Sequence, residues 1–320
     1  MKIAVLDDYQ NVVKTLDCFS ILNGHDVSVF NQACLDVNEL AMKLANVDAL
    51  VLIRERTQVT DELLSKLPNL KLISQTGKVS NHLNVALCQQ YGVSVAQGIG
   101  SPVAPSELCW ALIMAASRNI PEYVVNLSCS QWQQASGLGL GRTLNGLTLG
   151  IWGYGKIGQR IAQYAKAFGL SVMIWGSDTS RVLAEEHGFI AATSQREFFA
   201  SSDIVSLHLR LNETTRGCVT AADLSVMKSD SLFVNTSRAE LVESLALYNE
   251  MLSHPTKRAA LDVFAVEPAT DQNEPLLSLP NVLCSPHLGY VTKSSYELYF
   301  KVAFENVVAF AQGQPQNLVR

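Results

Sequence analysis

The chain has 320 residues, 48% of them hydrophobic and 17% charged, with a formal net charge of −5. This length predicts two domains, and the composition supports a sizeable core and excludes a disordered chain. The acidic balance, with no basic run, argues against a nucleic-acid partner, and the most apolar run, Leu108 to Ser117, is about half of what a membrane span needs.

The seven cysteines (18, 34, 88, 109, 129, 218 and 284) are scattered and form no C-x-x-C pair. That pattern fits a reducing compartment better than a disulfide framework or a metal site. Met1 to Asp8 has no signal-peptide apolar region, so a soluble cytoplasmic protein is expected.

In chain order, short apolar runs predict strands at Lys2–Leu6, Val27–Phe30, Ala49–Ile53, Leu70–Gln75 and Val93–Ala96. Helical patterns fall between them, most clearly at Asn38–Ala45 and Asp61–Lys66. Continuous apolar strands alternating with helices imply a parallel sheet covered on both faces. Ligands bind such sheets beyond the strand C-termini. Two loops there carry suitable groups, Arg54-Glu55-Arg56-Thr57 and Thr76-Gly77-Lys78-Val79. Arg54, Thr76, Gly77 and Lys78 are therefore candidate substrate contacts, through backbone N–H groups at Gly77 and charge at Arg54 or Lys78. The plainer reading is that these charges solvate a loop.

Two glycines and two prolines between Gly98 and Ser106 mark a break and the first crossing between domains. Ser106 is the expected N-cap of an apolar helix over Glu107–Arg118. Residues 119–146 read as polar and, beyond Trp132, irregular: an arm or an oligomer contact. Next, Leu147 to Trp152 is an apolar strand entering Gly153-Tyr154-Gly155-Lys156-Ile157-Gly158, and Gln159–Phe168 is helical. A G-x-G-x-x-G turn between strand and helix is the context that makes this motif useful. Gly153 permits the turn, Gly155 lets the backbone approach a pyrophosphate, and Gly158 lets the helix pack on the strand. An ordinary glycine turn is the bland alternative.

Further strands are expected at Ser171–Trp175, Asp203–Leu209, Ser231–Asn235, Arg258–Val263 and Asn281–Cys284. Arg238, Glu267 and His287 each lie just past one of them, on one edge of one sheet. Reduction of a 2-oxo acid needs such a set. The developing alkoxide takes a proton from an acid in the histidine range. A neighbouring carboxylate orients the imidazole and favours its protonated form. A guanidinium binds the substrate carboxylate and polarises the ketone. Alone, His287 would read as a structural histidine and Arg238 as a surface ion pair.

These motifs, together with Asn235-Thr236-Ser237-Arg238, Leu261-Asp262-Val263-Phe264 and Ser285-Pro286-His287-Leu288-Gly289, resemble those of the D-isomer-specific 2-hydroxyacid dehydrogenases. The resemblance covers nearly the whole chain and is specific for the family rather than the substrate. It implies an α/β protein of two Rossmann-like or flavodoxin-like domains with parallel sheets and the active site in the interdomain cleft. The discontinuous substrate domain would be 1–101 plus 287–320, and the dinucleotide domain 102–286. His287 would be the acid/base, Glu267 its partner and Arg238 the substrate-orienting arginine. Asp262 would hold the nicotinamide carboxamide. Thr236 and Gly289 would line the nicotinamide end and His208 the adenosine side, with further cofactor contacts at Lys156, Ile157, Ser177 and Thr214. The family is usually a homodimer through the cofactor domain.

Two departures stand out. Ala239 replaces the glycine that usually follows the arginine. Gly176, twenty-three residues after Gly153, replaces the acidic residue that binds the ribose hydroxyls in NAD-specific members. Of NAD and NADP, this favours NADP, with Ser177, Ser180 and Arg181 available to a 2′-phosphate; the opposite reading is that Asp178, taken as a loop residue, reaches back to the ribose. Two other readings remain: a non-catalytic dinucleotide sensor of corepressor type, and a formate dehydrogenase, which Glu267 disfavours because that family has glutamine there.

Overall fold

A computed structural model describes residues 1–134 and 137–319. The chain divides into two compact units, Met1–Ser101 with Val291 onwards, and Pro102–Tyr290. His287 to Tyr290 thus belong to the second unit, and the return to the first starts four residues later than the expected 287.

The first unit has a five-stranded parallel sheet. Its strands are β1 (Lys2–Val5), β2 (Asp26–Val29), β3 (Ala49–Leu52), β4 (Leu72–Gln75) and β5 (Ser94–Gln97), in the order β2-β1-β3-β4-β5. The connecting helices are α1 (Val37–Leu44), α2 (Asp61–Ser65) and α3 (Val85–Gln90), each started by a side-chain cap from Asp36, Thr60 or Asn84. Strand alternation divides the core. Ala4, Leu50, Leu52 and Ile73 pack with Leu40, Leu63 and Leu64 of the helices; Ile3, Val5 and Leu72 point to the other face.

The second unit has a seven-stranded parallel sheet. Its strands are β6 (Thr148–Trp152), β7 (Ser171–Trp175), β8 (Ile190–Ala191), β9 (Ile204–Leu207), β10 (Leu232–Asn235), β11 (Arg258–Leu261) and β12 (Val282–Cys284). The order β12-β11-β10-β9-β6-β7-β8 puts the first strand inside the sheet, between β9 and β7, so the order of strand addition reverses at β6. Helices α4 (Val103–Ser117), α5 (Ile120–Ser128), α6 (Lys156–Ala167), α7 (Asp178–Glu186), α8 (Gln195–Ser201), α9 (Ala221–Ser225) and α10 (Ala246–Ser253) accompany it. Ile151, Ile174, Ile204 and Val234 pack with Ile113 and Ile161 of α4 and α6. Trp152, Val205 and Phe233, one residue out of phase, pack with Phe198, Phe199 and Met251 of α8 and α10. Both faces are buried, which is why these strands read as apolar runs rather than alternations.

The chain then returns to the first unit as α11 (Lys293–Ala311), where Ser74 of β4 donates to the Ala303 carbonyl at 2.8 Å. Phe300 and Phe304 are fully buried there, with Phe19 edge-on to Phe304.

Two expectations are corrected, and one helix is added. Helix α4 starts at Val103, and Ser106 is not its cap: the hydroxyl donates back to the Pro102 carbonyl at 2.6 Å from within the first turn. Pro102 and Pro105 occupy the helix start, where no intrahelical N–H is required. Residues 120–128, ahead of the stretch expected to be irregular, form α5, and none of its side chains is buried; of the expected arm, 135 and 136 lie outside the described residues. Asp178 is not in a loop but is the first residue of α7, capped by Ser177. Among the described residues no helix is long and apolar enough to cross a membrane.

Candidate active site

The glycine turn sits at the switch point, between the loops that follow β6 and β9. Gly153 has φ +102°, and a Cβ there would lie 2.6 Å from the His208 carbonyl oxygen. A Cβ at Gly158 would collide with the Gly153 carbonyl. Both positions therefore exclude a side chain. Gly155 differs: a Cβ there meets nothing within 4 Å. It caps α6 with open space above an exposed backbone, so the residues fit a pyrophosphate set against the helix N-terminus. Lys156 begins the helix and is exposed, and Ile157 packs onto the core.

At the end of β7, Gly176 has φ +156° and bears no carboxylate. Ser177 caps α7, its hydroxyl 3.1 Å from that of Ser180. The nearby charges are already matched: Arg181 pairs with the exposed Asp178 carboxylate, and its guanidinium lies 5.1 Å over the Trp175 ring. His208 follows β9. Its Nε2 is 2.9 Å from Ser206 Oγ, which lies 3.5 Å from Cys109 Sγ. Burial pushes the His208 imidazole down to about 4 and the Cys109 thiol up to about 11, so both are neutral at pH 7. Thr214 is exposed, and its hydroxyl donates to Asn212 Oδ1 at 2.7 Å.

Three strand ends assemble the rest. After β12, His287 takes a left-handed conformation (φ +51°) and its Nδ1 lies 2.7 Å from Glu267 Oε2. The other oxygen of Glu267 accepts the Phe264 N–H at 3.0 Å, so the carboxylate is oriented by its own loop. The Tyr290 ring stands edge-on to the imidazole, centroids 5.5 Å apart. After β10, Asn235 donates to the Arg238 carbonyl at 2.8 Å and accepts the Ser237 N–H at 3.0 Å. The Ser237 hydroxyl donates to the Leu207 carbonyl at 2.7 Å. These bonds fix the turn that carries Thr236 and Arg238, whose guanidinium donates back to the Ser237 carbonyl at 2.5 Å. After β11, Asp262 is fully buried. Its Oδ1 accepts from Ser285 Oγ (2.6 Å) and the Leu288 N–H (2.7 Å), and its Oδ2 from the Gly289 N–H (2.9 Å). Burial raises its carboxyl above the ordinary range, the donors opposing.

In the first unit, Arg54 also has a left-handed backbone (φ +54°), and its N–H donates to Thr76 Oγ1 at 3.0 Å. Its guanidinium lies where a Cβ on Gly77 would be. Arg54, Thr76 and Gly77 thus form one cluster, while Lys78 is exposed beside it. Sequence reasoning gave no role to Ser285, Asn235 and Ser237, which carry no charge: Ser285 holds the Asp262 carboxylate, and the other two hold backbone. It also missed Ser206 and Cys109, which are hidden behind His208.

The sheet and its switch-point glycine turn define the class of dinucleotide-binding α/β proteins. Residues 110–289 match the D-isomer specific 2-hydroxyacid dehydrogenase NAD-binding domain, and the chain belongs to that family of NAD(P)-dependent dehydrogenases. A crystal structure of a phosphoglycerate oxidoreductase from Vibrio cholerae o395 is 64% identical, covering 98% of this chain and 99% of that one, with a TM-score of 0.97. The glyoxylate reductase of Aeropyrum pernix is 34% identical over 88% of this chain and 85% of its own length. The D-3-phosphoglycerate dehydrogenase of Methanocaldococcus jannaschii is 31% identical over 88% of this chain, which spans 53% of that relative.

Proposed function

We propose that the protein transfers hydride reversibly between NAD(P)H and a small 2-oxo acid, giving a D-2-hydroxy acid. The observation that carries this reading is the 2.7 Å contact between His287 Nδ1 and a Glu267 carboxylate whose second oxygen is held by Phe264. The bound dinucleotide supplies the hydride. With Nδ1–H donated to Glu267, the Nε2 side of His287 is left to exchange the proton on the substrate oxygen: it gives the proton in reduction and takes it in oxidation. Arg238 binds the substrate carboxylate and the ketone oxygen. Half-buried, neutral His208 lines the nucleotide pocket without adding charge.

The test is oxidation of NADPH and, separately, NADH with glyoxylate, hydroxypyruvate, pyruvate and phenylpyruvate, and reduction of NAD(P) with D-3-phosphoglycerate. Turnover of any of these supports the reading. Saturable dinucleotide binding without turnover would shift the assignment to a sensor.

The preferred nucleotide is NADPH, since Gly176 presents no carboxylate to repel a 2′-phosphate and Arg181 can exchange Asp178 for it. Arg181→Ala should raise KM for NADPH relative to NADH by roughly tenfold, as expected for one charge-assisted contact. An unchanged KM ratio would remove Arg181 from the nucleotide site.

A second copy of this chain packs on α5. Val124 and Val125 are 61% exposed and Leu127 55%, an apolar patch unusual on a monomer. Val124→Glu with Leu127→Glu should turn a dimer into a monomer in sedimentation. A wild-type monomer would reject the interface.

A further inference from the structure

The second unit contains a cavity of about 530 Å³ that shares only Asn235 with the site residues described above. Its floor is Asn235 and Leu261, the last residues of β10 and β11, and Val242, Tyr248 and Leu276 form apolar walls. This volume and mixture are those of a small-molecule site, about 300–1,000 Å³, mostly apolar with a few polar groups. Three carboxylates, Glu240, Glu243 and Glu274, face it against one cation, Arg216. Arg216 offsets them little, standing 4.0 Å from Glu240 at an exposed position. The excess is negative, which disfavours a 2-oxo acid or a nucleotide phosphate as occupant and favours a cation.

We infer that this cavity binds a protonated amine carrying an apolar or aromatic body, and that occupancy acts on the loops of Arg238 and Glu267. The amine meets the carboxylates, and the body leaves water for the Val242, Tyr248 and Leu276 walls. The coupling follows from shared residues. Asn235 in the floor holds the Arg238 carbonyl and the Ser237 N–H. Val263, also lining the cavity, immediately precedes Phe264, whose N–H orients Glu267. Only this coupling rests on the proposed function; the site itself does not.

Phenethylammonium and its neutral counterpart 2-phenylethanol are titrated calorimetrically against the full-length protein without dinucleotide. Valine and leucine methyl shifts locate the binding. The ammonium should bind roughly tenfold tighter than the alcohol, with shifts at Val242 and Leu276. Glu240→Gln with Glu243→Gln should remove that advantage. Glutamine can still accept the Ala221 N–H that Glu243 Oε2 takes at 3.1 Å, and an unchanged thermal midpoint would confirm the fold. Equal affinity for the two probes, shifts elsewhere, or no saturation by the ammonium would overturn the site. Saturation with unaltered kcat and KM in an active preparation would overturn the coupling alone.

Discussion

Replacing His287 by alanine should lower turnover with the best 2-oxo acid by about 10²–10⁴-fold, the range for loss of a general acid, while dinucleotide binding changes less than about threefold. Steady-state kinetics and fluorescence titration read the two quantities. A variant keeping more than about a tenth of the wild-type rate would mean that another group delivers the proton. Glu267→Gln separates orientation from presence. The glutamate uses both oxygens, one for the Phe264 N–H and one for His287 Nδ1. Glutamine has only one. If that oxygen keeps the Phe264 bond, an amide NH₂ faces Nδ1, and a doubly protonated imidazole cannot form there without a donor–donor clash. If it keeps the histidine, the Phe264 N–H loses its acceptor and the loop loosens. Either outcome should cost about 10² or more in kcat, since fixing the tautomer is itself worth orders of magnitude. KM should change less than kcat.

Much of this architecture was legible from the chain because its strands are buried on both faces. Runs such as Leu232–Asn235 and Ile204–Leu207 need no periodicity to be seen, only bounding polar residues. Gly153 and Gly158 were legible because backbone sits where their side chains would be. Helix α5 was not, because a helix with no buried residue shows no core-facing stripe. Helices α8 and α9 carried signals in Ser194 and in the Thr220–Asp223 capping box, but at seven and five residues they lack a period to corroborate them. The chemistry-bearing loops were placed by counting past strand ends, and His287 and Glu267 do pair. The pairing of Arg181 with Asp178 required knowing that α7 begins at Asp178, one turn before the arginine. The left-handed backbone of Arg54 has no sequence signature, and that of His287 only the weak preference of histidine for this region; tertiary contacts impose both.

Asp262 is the case in which the structure changes the argument most, and it leads to the second large expected effect. By resemblance it is a nicotinamide ligand; by geometry it is also the latch of the His287 loop, accepting from Ser285, Leu288 and Gly289. Asp262→Ala leaves those donors without their acceptor in a buried place, at a cost of about 1–3 kcal/mol for each that water cannot reach. It should also lower kcat by about 10² or more, because a 1 Å drift of the imidazole is enough. Asp262→Asn is the sharper probe. Its oxygen can keep Ser285 and Leu288, but its NH₂ then opposes the Gly289 N–H, so turnover should fall with a smaller loss of stability. The pH dependence distinguishes a latch from an ordinary salt link. Burial raises the folded-state carboxyl of Asp262 above its unfolded value. Its contribution to stability is therefore fully present below the unfolded value, about 4, and is lost as pH rises through the raised folded one. The stability gap between wild type and Asp262→Asn should widen as pH falls from 7 toward 4, measured by denaturant unfolding. A gap that narrows over that interval would show that the three donors outweigh burial and that the folded protein holds Asp262 as the charged carboxylate.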